Sequence, residues 1–209
     1  MKSISLLSSL VFILAIAGCT THANSNSSVR ADYGLGFSSN APVDTKELVL
    51  SNGHEELRSS GGGFLGGGFW NPDDPNSIPD GGKFHILIGD NIVPTSARAV
   101  WFSYRNQKFY EASIQFIPNL PELLNEYKTA FGTNTYRPTI IFGFGQNGEI
   151  KSVLSTSCSY QYECGKSEKK VTIASGKGSE IPGDTKVYLP ITKQLIKQGR
   201  LKPIPGAEE

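Results

Sequence analysis

Between residues 97 and 116 apolar and polar positions alternate, which marks strands with period two. In residues 97–104, Val100, Phe102 and Tyr104 share one face, and Ala99, Trp101 and Ser103 share the other. In residues 108–116, Tyr110, Ala112, Ile114 and Phe116 oppose Phe109, Glu111, Ser113 and Gln115. Arg105-Asn106-Gln107 between them predicts a short hairpin turn. The period then changes. Asn119 can cap a helix, Glu122 follows three residues later, and Pro121 suits a first turn. Leu120, Leu123, Leu124 and Tyr127 form the apolar stripe of the helix they open.

Weaker patterns flank this unit. Residues 31–37 and 46–50 are modest strand candidates, and the ordered core is expected to begin at Phe84, with a short strand over 84–89. Residues 139–144 and 149–156 read as strands around a turn containing Asn147-Gly148, a hairpin signal. Residues 170–174 and 186–189 read as further strands, and 191–198 as a short helix stopped by Gly199. Residues 59–70 hold six glycines, so this stretch is either a mobile loop or backbone packed closely against something. Residues 71–82, with three prolines, are loop. There is no internal repeat. The expected fold is α+β: a mainly antiparallel, sandwich-like β structure with one inserted helix and a short C-terminal helix.

The first residues follow another logic. Met1-Lys2 is a positive start, and a mostly apolar run of about twelve residues follows, too short for the roughly twenty that span a bilayer. Ile16-Ala17-Gly18-Cys19 is similar to the lipobox of bacterial lipoproteins, in which the cysteine thiol accepts a diacylglycerol. Residues 1–18 are therefore expected to be an export signal and Cys19 the lipidated first residue of the mature chain. Residues 19–30, polar and aperiodic, are a flexible tether. Residues 31–201 would then form one domain and 202–209 a loose tail. Removing 18 residues from 209 leaves 191, enough for a single substantial core. Enteric lipoproteins kept at the inner membrane carry Asp after the cysteine. Thr20 stands there instead, which points to the outer membrane, with the domain in the periplasm.

Cysteine arithmetic fits this compartment. Of three cysteines, one is lipidated, and Cys158 and Cys164 remain for a disulfide in the oxidising periplasm. Their spacing suits the two arms of a hairpin, and closing so short a loop contributes roughly 2–3 kcal/mol. Zinc would need four ligands, and a redox site would normally be C-x-x-C.

Twenty Lys and Arg against nineteen Asp and Glu give a net charge of +1, so nucleic acid is not an expected partner. Residues 61–66 and 143–148 both match G-x-G-x-x-G, but neither leads into a helix that would hold a pyrophosphate. No G-x-S-x-G elbow exists, and His54-Glu55-Glu56 is not H-E-x-x-H. His85 reads as a strand residue. The sequence offers no catalytic constellation, so no enzyme activity and no cofactor are expected. The aromatics are more informative. Trp70, Trp101, Tyr104, Phe109 and Tyr110 gather around the Gly-rich segment and the central hairpin, and Tyr160 and Tyr162 sit at the cysteine-flanked tip. Two readings fit: core packing on both strand faces, or an aromatic binding surface.

Residues 99–112, Ala-Val-Trp-Phe-Ser-Tyr-Arg-Asn-Gln-Lys-Phe-Tyr-Glu-Ala, resemble a family of proteobacterial lipoproteins catalogued as domain of unknown function 2931. The upstream Gly-rich segment ending in Trp70 and the downstream strand–Gly–turn–strand unit at 139–154 extend the likeness over residues 60–155. Members often carry a Trp in the strand after the Gly turn. Here Ser152, Val153 and Leu154 stand there. The resemblance implies an envelope lipoprotein without established enzyme activity. It also suggests a neighbour of type VI secretion lipase effectors, hence an immunity protein that binds an incoming toxin. The alternative partner is the cell wall or another envelope protein.

Overall fold

The computed structural model describes residues 29–80, 83–85, 90–131, 136–158 and 169–206. The chain opens with β1 (Arg30–Ala31), β2 (Gly34–Ser39), β3 (Val43–Ser51), β4 (Glu56–Ser59), β5 (Gly63–Leu65), β6 (Lys83–His85) and β7 (Asn91–Ile92). The hairpin β8 (Ser96–Ser103) and β9 (Lys108–Gln115) follows, then helix α1 (Leu120–Phe131). Next come β10 (Tyr136–Phe144), β11 (Glu149–Cys158), β12 (Lys170–Lys177) and β13 (Ser179–Ile181). A 3-10 turn, Lys186–Tyr188, leads into α2 (Leu189–Lys197).

Two sheets face each other. One is ordered β12-β11-β10-β2-β6. The other is ordered β13-β9-β8-β3-β4, with β5 also paired to β3. Every pairing is antiparallel except β2 with β10, which run parallel. Between the sheets lie Leu35, Phe37, Ile140, Phe142, Phe144 and Leu154 from one side, and Leu48, Leu50, Ala99, Trp101 and Ile114 from the other. Burying each large side chain contributes about 1.5–3 kcal/mol. The stripe of α1, Leu120, Leu124 and Tyr127, joins the same core.

A second apolar layer covers the outer face of the β8–β9 hairpin. Phe102 and Tyr104 are buried there against Tyr188, Leu195 and Leu201 of the C-terminal segment. Phe102 stacks on Tyr188 with centroids 4.0 Å apart and 16° between planes. The aromatics alternate across β8 because both of its faces are covered. Ile204 packs partly buried against this layer.

Two expectations change, and one open alternative is decided. The core does not begin at Phe84, because β2 and β3 are interior strands of their sheets. Residues 186–189 are not a strand. Tyr188, Thr192 and Leu195 are buried at spacings of four and three, a helical stripe, and Pro190 sits in the first turn, where a helix tolerates it and a ladder would not. The Gly-rich segment is packed rather than mobile. A Cβ on Gly62 would lie 2.9 Å from the Cβ of Phe37, so only glycine lets β5 approach the core so closely.

Candidate binding surface

The strands give the sandwich two distinct ends. The chain enters at Val29, whose carbonyl accepts from the Val93 amide at 2.9 Å, and Arg30 is held by Glu55 at 2.7 Å. From this near end β2 runs to the far end, where residues 40–42, 105–107 and 145–148 turn. Nine residues of β10 separate the ends by about 30 Å.

The far end is hydrogen-bonded across its turns. The Asn106 side-chain amide donates to the Gln146 carbonyl at 2.6 Å, to Asn147 Oδ1 at 3.0 Å and to the Tyr110 hydroxyl at 3.2 Å. The Gln146 amide donates to Asn40 Oδ1 at 3.0 Å. From below, the buried Trp101 indole donates to the Gly145 carbonyl at 3.0 Å. Gln107 donates to the Tyr104 carbonyl at 2.6 Å and to Thr192 Oγ1 at 3.1 Å, tying the hairpin to α2. Gly148, at φ +90°, takes the left-handed turn that closes this cluster beside Tyr110.

Beside the turns lies a cleft of about 480 Å³, walled by the backbone of residues 66–68 and 199–202 and by residues 40–42. Its charged side chains are Arg105, Arg200 and Lys202, all exposed. Arg200 donates to the Gly66 carbonyl at 3.0 Å, and its guanidinium sits 5.6 Å from the Phe64 ring centroid. Gly67, at φ +85°, passes so close to the Ala41 backbone that a Cβ would meet it at 2.6 Å. A second cleft, also of about 480 Å³, lies at the near end and is mainly apolar, with Val29, Val93, Phe116 and Leu120 among its lining.

Of the two readings of the aromatics, core packing is the one the described rings follow, and the binding-surface reading of Trp70, Trp101, Tyr104, Phe109 and Tyr110 is set aside. Trp101 and Tyr104 are fully buried, Tyr110 and Trp70 almost so, and Phe109 packs around Phe102 and Tyr188. These rings are core. Burial, with the nearby Asp44 charge, raises the Tyr104 phenol above its ordinary pKa, and burial alone raises Tyr33. Tyr160, Tyr162, Cys164 and Cys19 lie outside the described residues. Cys158 ends β11. The second G-x-G-x-x-G match is the β10–β11 hairpin, and the first runs into β5. Among the described residues no three His, Cys, Asp or Glu groups gather to hold a metal, and no helix is long and apolar enough to cross a membrane. The residues that pattern reading passed over are Asn106, Arg105, Arg200 and Lys202. Only the turn at 105–107 was visible in sequence.

The sequence profile described as Protein of unknown function (DUF2931) matches residues 22–200. The chain belongs to the DUF2931 family. The match reaches beyond the central motif in both directions, so the DUF2931 domain takes in β2 and β3 as well as the C-terminal helix that covers the hairpin. Neither the curated proteins nor the solved structures contain a match to this chain.

Proposed function

We propose that this DUF2931 protein is a lipid-anchored periplasmic binding module and that it serves as an immunity protein against a type VI secretion toxin of the lipase type. The observation that carries the reading is the polarity of the domain. The chain enters at one end, and a cross-braced set of turns occupies the other. Tethered through Cys19, such a domain directs its preorganised end away from the membrane, where an incoming protein is met. Fixed donors and a rigid backbone lower the ordering cost of association. The ten residues between Cys19 and Arg30 extend to at most about 35 Å, enough to free the domain from the lipid surface.

The test has two parts. Intact-mass analysis of the membrane fraction is expected to show an acylated Cys19 at the mature N-terminus, and Cys19→Ser is expected to release the domain from the membrane. A strain lacking the gene is expected to become sensitive to the lipase delivered by its siblings, with the mature protein co-purifying with that toxin. Unchanged sensitivity would overturn the immunity reading. Recovery of cell-wall or assembly proteins instead would favour an envelope-maintenance role.

A further inference from the structure

We propose that Arg105, Arg200 and Lys202 form a seat for carboxylates on an acidic segment of the protein partner. The proposal rests on the binding-module reading and names the chemistry of what is bound.

The argument begins with how this chain treats its arginines. Arg30 is paired with Glu55, Arg58 with Glu47 and Glu56, and Arg98 with Glu47 and Glu111. Arg105 and Arg200 have no carboxylate partner among the described residues, and both line the same cleft. Lys202, likewise without one, lines it too, and no acidic side chain does. Three cations that would otherwise repel one another are thus collected on one concave surface. Arg200 is anchored rather than free, because the Gly66 carbonyl and the Phe64 ring hold its guanidinium. Arg105 leaves a turn fixed by Asn106 and Gln107, so its backbone origin is set before any ligand arrives.

The guanidinium fork donates two parallel hydrogen bonds to a carboxylate, which a lysine ammonium cannot reproduce. In open solvent each such pair contributes little. Covered by a partner, the same charges lose solvent screening and steer the encounter. The glycine wall matters here as well. Gly68 leaves open space where a side chain would stand, so nothing there blocks an extended acidic strand lying along residues 66–68.

The test uses the full mature lipoprotein in neutral phosphatidylcholine nanodiscs and a fluorescein-labelled hexaglutamate peptide, read by anisotropy. Binding is expected to be saturable at 50 mM salt and to weaken at least fivefold at 300 mM. Arg105→Glu with Lys202→Glu is expected to weaken binding at least tenfold with an unchanged circular dichroism spectrum. Lys128→Glu with Lys186→Glu alters net charge equally at exposed positions elsewhere and is expected to change binding less than twofold. Equal loss in both double variants, or none in either, would overturn the seat. Displacement of the peptide by inorganic phosphate at lower concentration than by acetate would overturn the carboxylate assignment. The peptide measurement needs no toxin, so a failed sensitivity assay would sink the immunity reading and leave this result standing.

Discussion

Replacing Asn106 by Ala removes the side chain that joins the 105–107 turn to the 145–148 turn. The amide has two hydrogens and reaches three acceptors, so one is shared. The firm bond is to the Gln146 carbonyl at 2.6 Å, and the next is to Asn147 Oδ1 at 3.0 Å. A net hydrogen bond contributes about 0.5–1.5 kcal/mol, and this site is only partly buried, so the loss should be about 1–2 kcal/mol. For a chain of this size each kcal/mol moves Tm by about 2–4 °C, which gives a fall of about 2–8 °C. The informative readout is local. Trp101 still holds Gly145 from below and Asn40 still holds Gln146, so the sandwich stays closed while residues 146–148 loosen. Amide exchange at these positions should accelerate several-fold more than in β8 or β10. Differential scanning calorimetry with exchange mass spectrometry measures both. A Tm within 1 °C of the parent, with no extra exchange at residues 146–148, would refute the claim that Asn106 braces this surface.

Trp101→Phe keeps a ring between Tyr110 and Phe144 but strands the Gly145 carbonyl; a loss of about 2–4 kcal/mol is expected in urea denaturation, and a loss below 1 kcal/mol would count against the indole's bridging role. Ser152→Ala should act in the opposite direction: its hydroxyl is buried with no hydrogen-bond partner among the described residues, so removing it should raise stability by about 1 kcal/mol, read as a higher urea midpoint. Alkaline pH should unfold the domain. Tyr33 and Tyr104 are raised by burial above the ordinary value of about 10, so the native state keeps protons that the unfolded chain gives up, and stability falls as pH rises past about 10 by up to 1.4 kcal/mol per pH unit for each phenol. Absorbance at 295 nm should show these tyrosines ionising together with the loss of near-ultraviolet circular dichroism; earlier, independent ionisation would contradict their burial.

What the sequence disclosed was local. The alternation in residues 97–116 yields β8 and β9 with the turn where Arg105-Asn106-Gln107 predicts it, the stripe Leu120, Leu123, Leu124 and Tyr127 yields α1, and Asn147-Gly148 yields the β10–β11 turn. The parallel pairing of β2 with β10 was not legible, since Gly34 meets Thr139 across more than a hundred residues and nothing in either strand encodes that register. The second apolar layer was not legible either. Phe102 and Tyr104 look exposed on a strand already facing a core, until Tyr188 and Leu195 arrive from the C-terminus. Val187 and Leu189 favoured a strand locally, and the helical spacing of Tyr188, Thr192 and Leu195 overrides that preference through packing. The braced far end was hidden for the same reason: Asn106 and Gln146 are forty residues apart and meet only in the fold.

The two layers also decide what kind of recognition remains open to the molecule. Nearly every large aromatic in the described residues is consumed by packing, and the exposed large hydrophobics are Val29, Phe69, Val187 and Ile191, spread over separate elements. Val29 lies at the near end, Val187 on the 3-10 turn and Ile191 on α2, which leaves Phe69, whose amide donates to the Ser39 carbonyl, as the one large aromatic exposed at the far end among the described residues. A binder with a single such ring would gain most of its affinity from polar groups, and polar groups pay for desolvation unless they are already aimed. In the proposed binding role the far-end cross-links serve this end: Trp101, Asn106, Gln107 and Asn40 fix three turns before contact, so the stem of Arg105 needs little further ordering, while the Gly66 carbonyl and the Phe64 ring hold the guanidinium of Arg200. The aromatic core and the polar surface are therefore one arrangement, in which a buried ring, Trp101, braces the turn beside the exposed charge.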